Sequence, residues 1–185
     1  MDSLYENYPQ PFIKGLLNIL SSHDRPRIIN TLSERGGESQ SAAERKAVTL
    51  SDGVYRLGKA RVKLMLKLIL AMPGAPCVYY GDEIGMQGAS DPYNRQTYPW
   101  GQGDAELLRF FQEAIAERKA HEAFAKGSLE IEALHRDVLA IVRSTQAKRI
   151  VTVINRSDAP RAVVIDGRQV DCRGLSFVQL ACNRM

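Results

Sequence analysis

Twice within the first hundred residues a short apolar run stops at a polar cluster and passes into a loop or helix. Leu16 to Leu20 ends in Ser21-Ser22-His23-Asp24, and Ala75 to Tyr80 ends in Gly81-Asp82-Glu83. Runs this short and this uniformly apolar fit strands buried on both faces, with their polar ends reaching a surface. Between them, Ser51 or Asp52 can cap a helix whose Val62, Met65, Leu66 and Ile69 recur at helical spacing, and Pro73-Gly74 ends it. Strand, helix, strand, helix is the repeat of a parallel α/β architecture.

The intervening segments follow the same logic. Pro26 opens a short helix running to about Leu32, and residues 33–49 are polar and Gly-containing, with a helical turn or two expected around Ala42 to Ala47. Gly81 to Gly103 is a long Gly-, Pro- and Asn-rich loop of the kind that carries function. Asp104 can cap the next helix, with Leu107, Leu108, Phe111 and Ile115 as its apolar stripe. After Gly127 the period changes to two. Leu129, Ile131 and Ala133, then Val138, Ala140 and Val142, then three later runs, alternate between turns such as Arg136-Asp137 and Asp166-Gly167, so a small antiparallel module is expected. The boundary falls at residues 125–128, dividing the chain into 1–126 and 127–185.

Composition narrows the function classes. With 185 residues, 44% of them hydrophobic, the chain can bury a core. Val62 to Met72 is broken by Lys63 and Lys67, well short of the ~18 apolar residues of a membrane span. The N-terminus lacks the basic and apolar regions of a secretion signal, so a cytoplasmic location and no membrane partner are expected. The net charge of +4 is scattered, with runs only as short as Arg118-Lys119 and Lys148-Arg149, and nucleic acid is not an expected partner. Cys77, Cys172 and Cys182 lack metal-type spacing, so reduced thiols are expected, with neither metal nor cofactor.

Several side chains could carry chemistry. His23 and Asp24 end a strand, where α/β folds place their ligands, and both can line one site if the chain bends at about Asp24, as Pro26 allows. The other reading is a buried His bonded to backbone beside an Asp capping the following helix. Ser22-His23-Asp24 is no hydrolytic triad, because three consecutive residues cannot converge as a triad must. Asp82 and Glu83 also end a strand. Adjacent carboxylates diverge, which suits them poorly to the pair ~5 Å apart that a retaining glycosidase needs, and better to orienting a cation or hydroxyl. Asp91 and Arg95, four apart in Asp-Pro-Tyr-Asn-Arg, could present hydrogen-bonding groups to vicinal diols or could brace their own loop. Tyr93, Tyr98 and Trp100 offer faces on which a pyranose packs, although a Trp in such a loop can also be a lid over the core.

These segments together resemble a known family. Asn18-Ile-Leu-Ser-Ser-His23-Asp24-Arg-Pro-Arg27 resembles the Asn-Leu-Leu-x-Ser-His-Asp-Thr-x-Arg segment at the seventh barrel strand of α-amylase superfamily glycoside hydrolases, with Arg25 standing where Thr is usual. Pro73-Gly74-Ala-Pro-Cys-Val-Tyr-Tyr-Gly81-Asp82-Glu83 resembles the eighth strand, and Asp91-Pro-Tyr-Asn-Arg95 with Tyr98-Pro-Trp100-Gly is similar to the neopullulanase, cyclomaltodextrinase and amylopullulanase-like branch. The resemblance implies an α/β part, strands 7 and 8 of a (β/α)8 barrel with their helices, followed by an all-β part, a small antiparallel β-sandwich. It implies that His23 and Asp24 hold the hydroxyls of the glucosyl unit being cleaved and stabilise the transition state. Asp91 and Arg95 would bind further donor-side glucose units, with Tyr93 and Trp100 beside them and Asp82 and Glu83 behind. The expected substrate is an α-1,4-glucan such as starch, maltodextrin, pullulan or cyclodextrin. The family's nucleophile and acid/base come from earlier strands. A complete barrel takes about 250 residues, so the chain reads as a C-terminal fragment, inactive alone, whose partner is the missing barrel portion or another copy. The alternative is a non-catalytic carbohydrate-binding or interaction module.

Overall fold

The computed structural model describes residues 7–33, 49–89 and 91–183. The helical turn expected around Ala42 to Ala47 lies outside them. In chain order the elements are α1 (Gln10–Lys14), β1 (Leu17–Ile19), α2 (Ile28–Leu32), α3 (Asp52–Ala71), β2 (Ala75–Cys77), 3-10 turns at Asp82–Ile84 and Tyr93–Arg95, α4 (Ala105–Ala120) and α5 (Glu122–Lys126). Six strands follow, β3 (Ser128–His135), β4 (Val138–Ser144), β5 (Lys148–Asn155), β6 (Arg161–Ile165), β7 (Arg168–Cys172) and β8 (Ser176–Asn183). The chain falls into two compact units, one made of Met1–Asn18, Lys67–Pro76 and Ala114–Met185, the other of Ile19–Leu66 and Cys77–Glu113.

β1 and β2 pair with each other. The pair is short, and it is not buried on both faces as its composition suggests. Leu17 is 63% and Ile19 54% exposed, because among the described residues β2 is the only strand beside β1 and no second layer covers these side chains. The junction from α3 into β2 is tight. Gly74 sits at φ 94°, where a Cβ would lie 2.5 Å from the Leu16 carbonyl oxygen, which itself accepts the Ala75 N–H at 2.8 Å. Only glycine fits that approach.

Asp104 Oδ1 accepts the Leu107 N–H at 2.9 Å, which fixes the start of α4. Asp104 also pairs with Lys59 at 2.6 Å, so cap and ion pair join α4 to α3. α2 begins two residues beyond Pro26. The Arg27 N–H donates to the Gly88 carbonyl at 2.9 Å and holds Arg27 extended, at φ −52° and ψ 141°. α2 then lies directly on α3, where a Cβ at Gly58 would meet the Ile29 carbonyl oxygen at 2.8 Å.

In the other unit, β3-β4-β5-β8 form an antiparallel sheet and β6-β7 a separate hairpin, whose turn uses Asp166 at φ 50° and Gly167 at φ 74°. Two positive φ angles are what a tight two-residue hairpin requires. Val138, Ala140, Val142, Val151 and Val153 from the sheet bury one cluster with Val163, Ile165, Val170 and Cys172 from the hairpin. The opposite face of β4 and β5 is buried as well, at Ile141, Arg143, Ile150 and Thr152, and α5 packs against these strands. Period-two alternation alone would leave that face to solvent. Arg143 can be buried there because its guanidinium donates to the carbonyls of Ala71, Gly127 and Ser128 at 2.9 to 3.1 Å.

Candidate active site

All the candidate side chains lie in the unit made of Ile19–Leu66 and Cys77–Glu113. His23 and Asp24 are neither buried nor capping. Their side chains are 62% and 68% exposed, His23 Nε2 lies 3.2 Å from Asp24 Oδ1, and Asp24 Oδ1 lies 3.7 Å from an Arg95 terminal nitrogen. Arg95 Nε stands 2.8 Å from Asp91 Oδ1 and donates to the His23 carbonyl at 3.1 Å. His23, Asp24, Arg95 and Asp91 therefore form one solvent-facing chain of polar groups. Ion pairs this exposed contribute about 0–1 kcal/mol each, so stability does not account for them.

What holds the turn is an amide with no role assigned from sequence. Asn94, fully buried, donates from Nδ2 to the carbonyls of both His23 and Arg25 at 2.7 Å, clamping the peptide on either side of Asp24. Its Oδ1 is buried without a hydrogen-bond partner. The available signal was its place between Asp91 and Arg95 in a proline-containing turn, where a side-chain amide commonly substitutes for backbone partners.

Beneath the turn lies a buried ionic pair. Arg27 is fully buried, donates to the Tyr80 carbonyl, and sits 4.5 and 4.4 Å from the ring centroids of Tyr79 and Tyr80. Asp82, 4% exposed, accepts the Ser21 hydroxyl, and its Oδ1 stands 3.7 Å from Arg27. At that separation the guanidinium is not a hydrogen-bond donor to Asp82. Burial therefore dominates and pushes the carboxyl up to about 6, with the Ser21 hydroxyl and Arg27 opposing it. Glu83 goes elsewhere, to the Tyr98 hydroxyl, and this bond raises the Tyr98 phenol. The two adjacent carboxylates thus diverge into separate supporting contacts.

The loop aromatics differ in exposure. Trp100 is 84% exposed, with its ring centroid 4.7 Å from that of Tyr98, so it is no lid over a core. Tyr93 is half-buried, and the Tyr80 hydroxyl donates to the Gln96 carbonyl at 2.8 Å, bracing the loop. No group of three or more His, Cys, Asp or Glu residues able to hold a metal ion occurs among the described residues.

Polar side chains grouped on an exposed turn, above a buried supporting pair, together with an exposed indole in the same unit, are groups able to hydrogen-bond to and stack on a ligand. The chain belongs to the family described as alpha amylase, catalytic domain, which matches residues 4–102, more than half of its length. Family and structural likeness together assign it to a barrel-containing fold. It is 33% identical over 186 residues to the amylopullulanase of Thermoanaerobacter thermohydrosulfuricus, covering 95% of this chain and 12% of that protein. It is 29% identical over 178 residues to the cyclomaltodextrinase of Geobacillus thermopakistaniensis, covering 94% and 26%. Among solved structures, the ligand-free cyclic α-maltosyl-(1→6)-maltose hydrolase of Arthrobacter globiformis superposes with a TM-score of 0.79 at 27% identity, over 99% of this chain and 38% of that one. The same hydrolase has been solved with maltose bound. The chain thus spans well under half the length of these relatives. No described helix is long and apolar enough to cross a membrane.

Proposed function

We propose that this chain supplies the closing part of the catalytic barrel of a retaining glycosidase acting on α-1,4-glucans such as starch, maltodextrin, pullulan or cyclodextrin. In this reading β1 and β2 are the seventh and eighth barrel strands within residues 1–126, and residues 127–185 are the C-terminal β-sandwich. The observation that carries it is the exposed His23, Asp24, Arg95 and Asp91 group, clamped from below by Asn94. His23 and Asp24 hold hydroxyls of the sugar being cleaved. Hydrogen bonds that tighten as the ring flattens favour the oxocarbenium-like state over the ground state, so the pair accelerates cleavage without attacking the substrate. Asp91 and Arg95 bind neighbouring glucose units, and Tyr93 and Trp100 pack against their faces.

Asp82 and Glu83 support the site from behind. Asp82 is engaged by Ser21 and Arg27, and Glu83 by Tyr98, which leaves neither placed to attack a sugar. The resemblance to the family implies that the nucleophile and the acid/base come from earlier barrel strands, and in this reading they are supplied from outside these 185 residues. The purified chain is expected to release no reducing ends from starch, maltodextrin, pullulan or cyclodextrin. Measurable turnover that disappears in Asp24→Asn would overturn the assignment of roles.

The partner is the remainder of the barrel or a second copy of the chain. Leu17 and Ile19 on β1, together with the exposed edge of a two-stranded sheet, are surfaces that associate when unpaired. Light scattering of the isolated chain is expected to show species larger than one copy, and Leu17→Lys with Ile19→Lys should shift the population to monomer. A monodisperse wild-type monomer would remove the argument.

A further inference from the structure

A second polar site lies in the β-rich unit, at the end of the sheet where the β3-β4 turn meets the chain leaving β5. Three arginines converge there on one carboxylate. Arg136 Nε and Arg156 Nε each lie 3.4 Å from Asp137, and an Arg161 terminal nitrogen lies 3.8 Å from it, while the His135 ring stands 3.7 Å away. Asp137 is the one carboxylate paired with any of the three among the described residues. Three guanidiniums against one carboxylate leave an excess of two positive charges. Its side chain is only 13% exposed and makes no contact with any of them shorter than 3.4 Å.

The platform beneath is fixed. The Arg156 N–H donates to the Asp137 carbonyl at 3.0 Å, and an Arg156 terminal nitrogen donates to the Arg136 carbonyl at 3.2 Å, tying the end of β5 to the turn. Asn155, fully buried, donates to the Ala159 and Arg173 carbonyls at 2.9 and 3.0 Å and accepts the Ser157 N–H and hydroxyl at 3.0 and 2.8 Å, which shapes the loop leading to Arg161. Arg161 Nε is buried and has no hydrogen-bond acceptor among the described residues. Buried donors in native proteins are almost always satisfied, and a guanidinium is shaped to bind an oxyanion through two parallel N–H groups.

We propose that Arg136, Arg156 and Arg161 form a binding site for a phosphate-type oxyanion, free or carried as a phosphomonoester on a sugar. The anion neutralises the two uncompensated charges and takes donors that Asp137 is too distant to occupy fully. Asp137 orders the arginines and, being negative itself, limits how tightly the site binds.

The test is a titration of the whole chain with inorganic phosphate and, separately, with glucose 6-phosphate, read by backbone amide shifts and compared with sodium chloride at matched ionic strength. Saturable shifts at Asp137, Arg156 and Arg161 that chloride does not reproduce are expected. Arg161→Gln should weaken the apparent Kd at least tenfold, and Asp137→Asn should tighten it severalfold, the reverse of what a purely bracing carboxylate would give. Tighter binding of glucose 6-phosphate than of inorganic phosphate identifies a sugar-borne group, and equal binding a free anion. Arg156→Gln, at a residue whose side chain is 74% exposed, tests the site if Arg161→Gln fails to fold. Shifts that do not saturate, that chloride matches, or that survive both arginine substitutions would overturn the proposal.

Discussion

Arg27→Met is expected to lower the unfolding free energy by about 3–5 kcal/mol at pH 8, read by urea denaturation. The cost comes from what the substitution leaves behind more than from what it removes. Met fills much of the space that Arg27 occupies against the Tyr79 and Tyr80 rings, so the apolar contact largely survives. The Tyr80 carbonyl loses its donor, and Asp82, ionised at pH 8, stays buried without a cation. Repeating the measurement with Asp82→Asn, alone and combined with Arg27→Met, separates these contributions. If the two substitutions act as one pair, the double variant is less destabilised than the sum of the singles. A loss below about 1 kcal/mol for Arg27→Met, the range of exposed pairs, would show that the pair is solvated and that the turn above it is not built on it.

The second large effect is in pH dependence. In the folded chain the Asp82 carboxyl titrates at about 6, whereas an unfolded Asp titrates near ~3.9. Below about pH 4 the group is protonated in both states, and above about pH 6 it is ionised in both. Between these values the folded state holds the extra proton, so Asp82 contributes stability at low pH that is lost as the pH rises through 6. The separation of the two pKa values corresponds to about 2–3 kcal/mol. Relative to the wild type, Asp82→Asn should therefore gain about that amount between pH 4 and pH 7. The opposite trend, a wild type that gains on the variant as pH rises, would mean that Arg27 and Ser21 outweigh the burial of the carboxylate.

Much of the architecture was legible because it rests on local pattern. The 20-residue helix α3, from Asp52 to Ala71, follows from periodicity, an acidic start and Pro73-Gly74. Five of the six later strands follow from alternation punctuated by turns such as Asp166-Gly167, and β7 (Arg168–Cys172), the return strand of that hairpin, was not among the expected runs. What escaped was set by tertiary packing. Leu17 and Ile19 read as core because their composition does, yet exposure is decided by what lies opposite a strand, which no local pattern encodes. The reverse holds for Arg27, Lys67 and Arg143. Each reads as a surface charge and is buried, Lys67 against the Glu117 carboxylate and 4.7 Å from the centroid of the Phe177 ring. Long cationic side chains enter an interior when distant carbonyls, rings or carboxylates receive their ends. The site divides in the same way. His23, Asp24, Asp91 and Arg95 stood out in the sequence by residue type and spacing, but Asn94 acts through the carbonyls of His23 and Arg25 some 70 positions away, and its place in a proline-containing turn did not identify those partners.

The outward position of Trp100 has a practical consequence. It is the sole tryptophan of the chain and is already 84% in contact with solvent in the folded state. Its emission will therefore change little on denaturation, making it a poor reporter of folding. The same placement makes it a label-free optical probe of occupancy at the loop, because a pyranose stacking on the indole would strip away its water while the rest of the molecule stays dark at that wavelength.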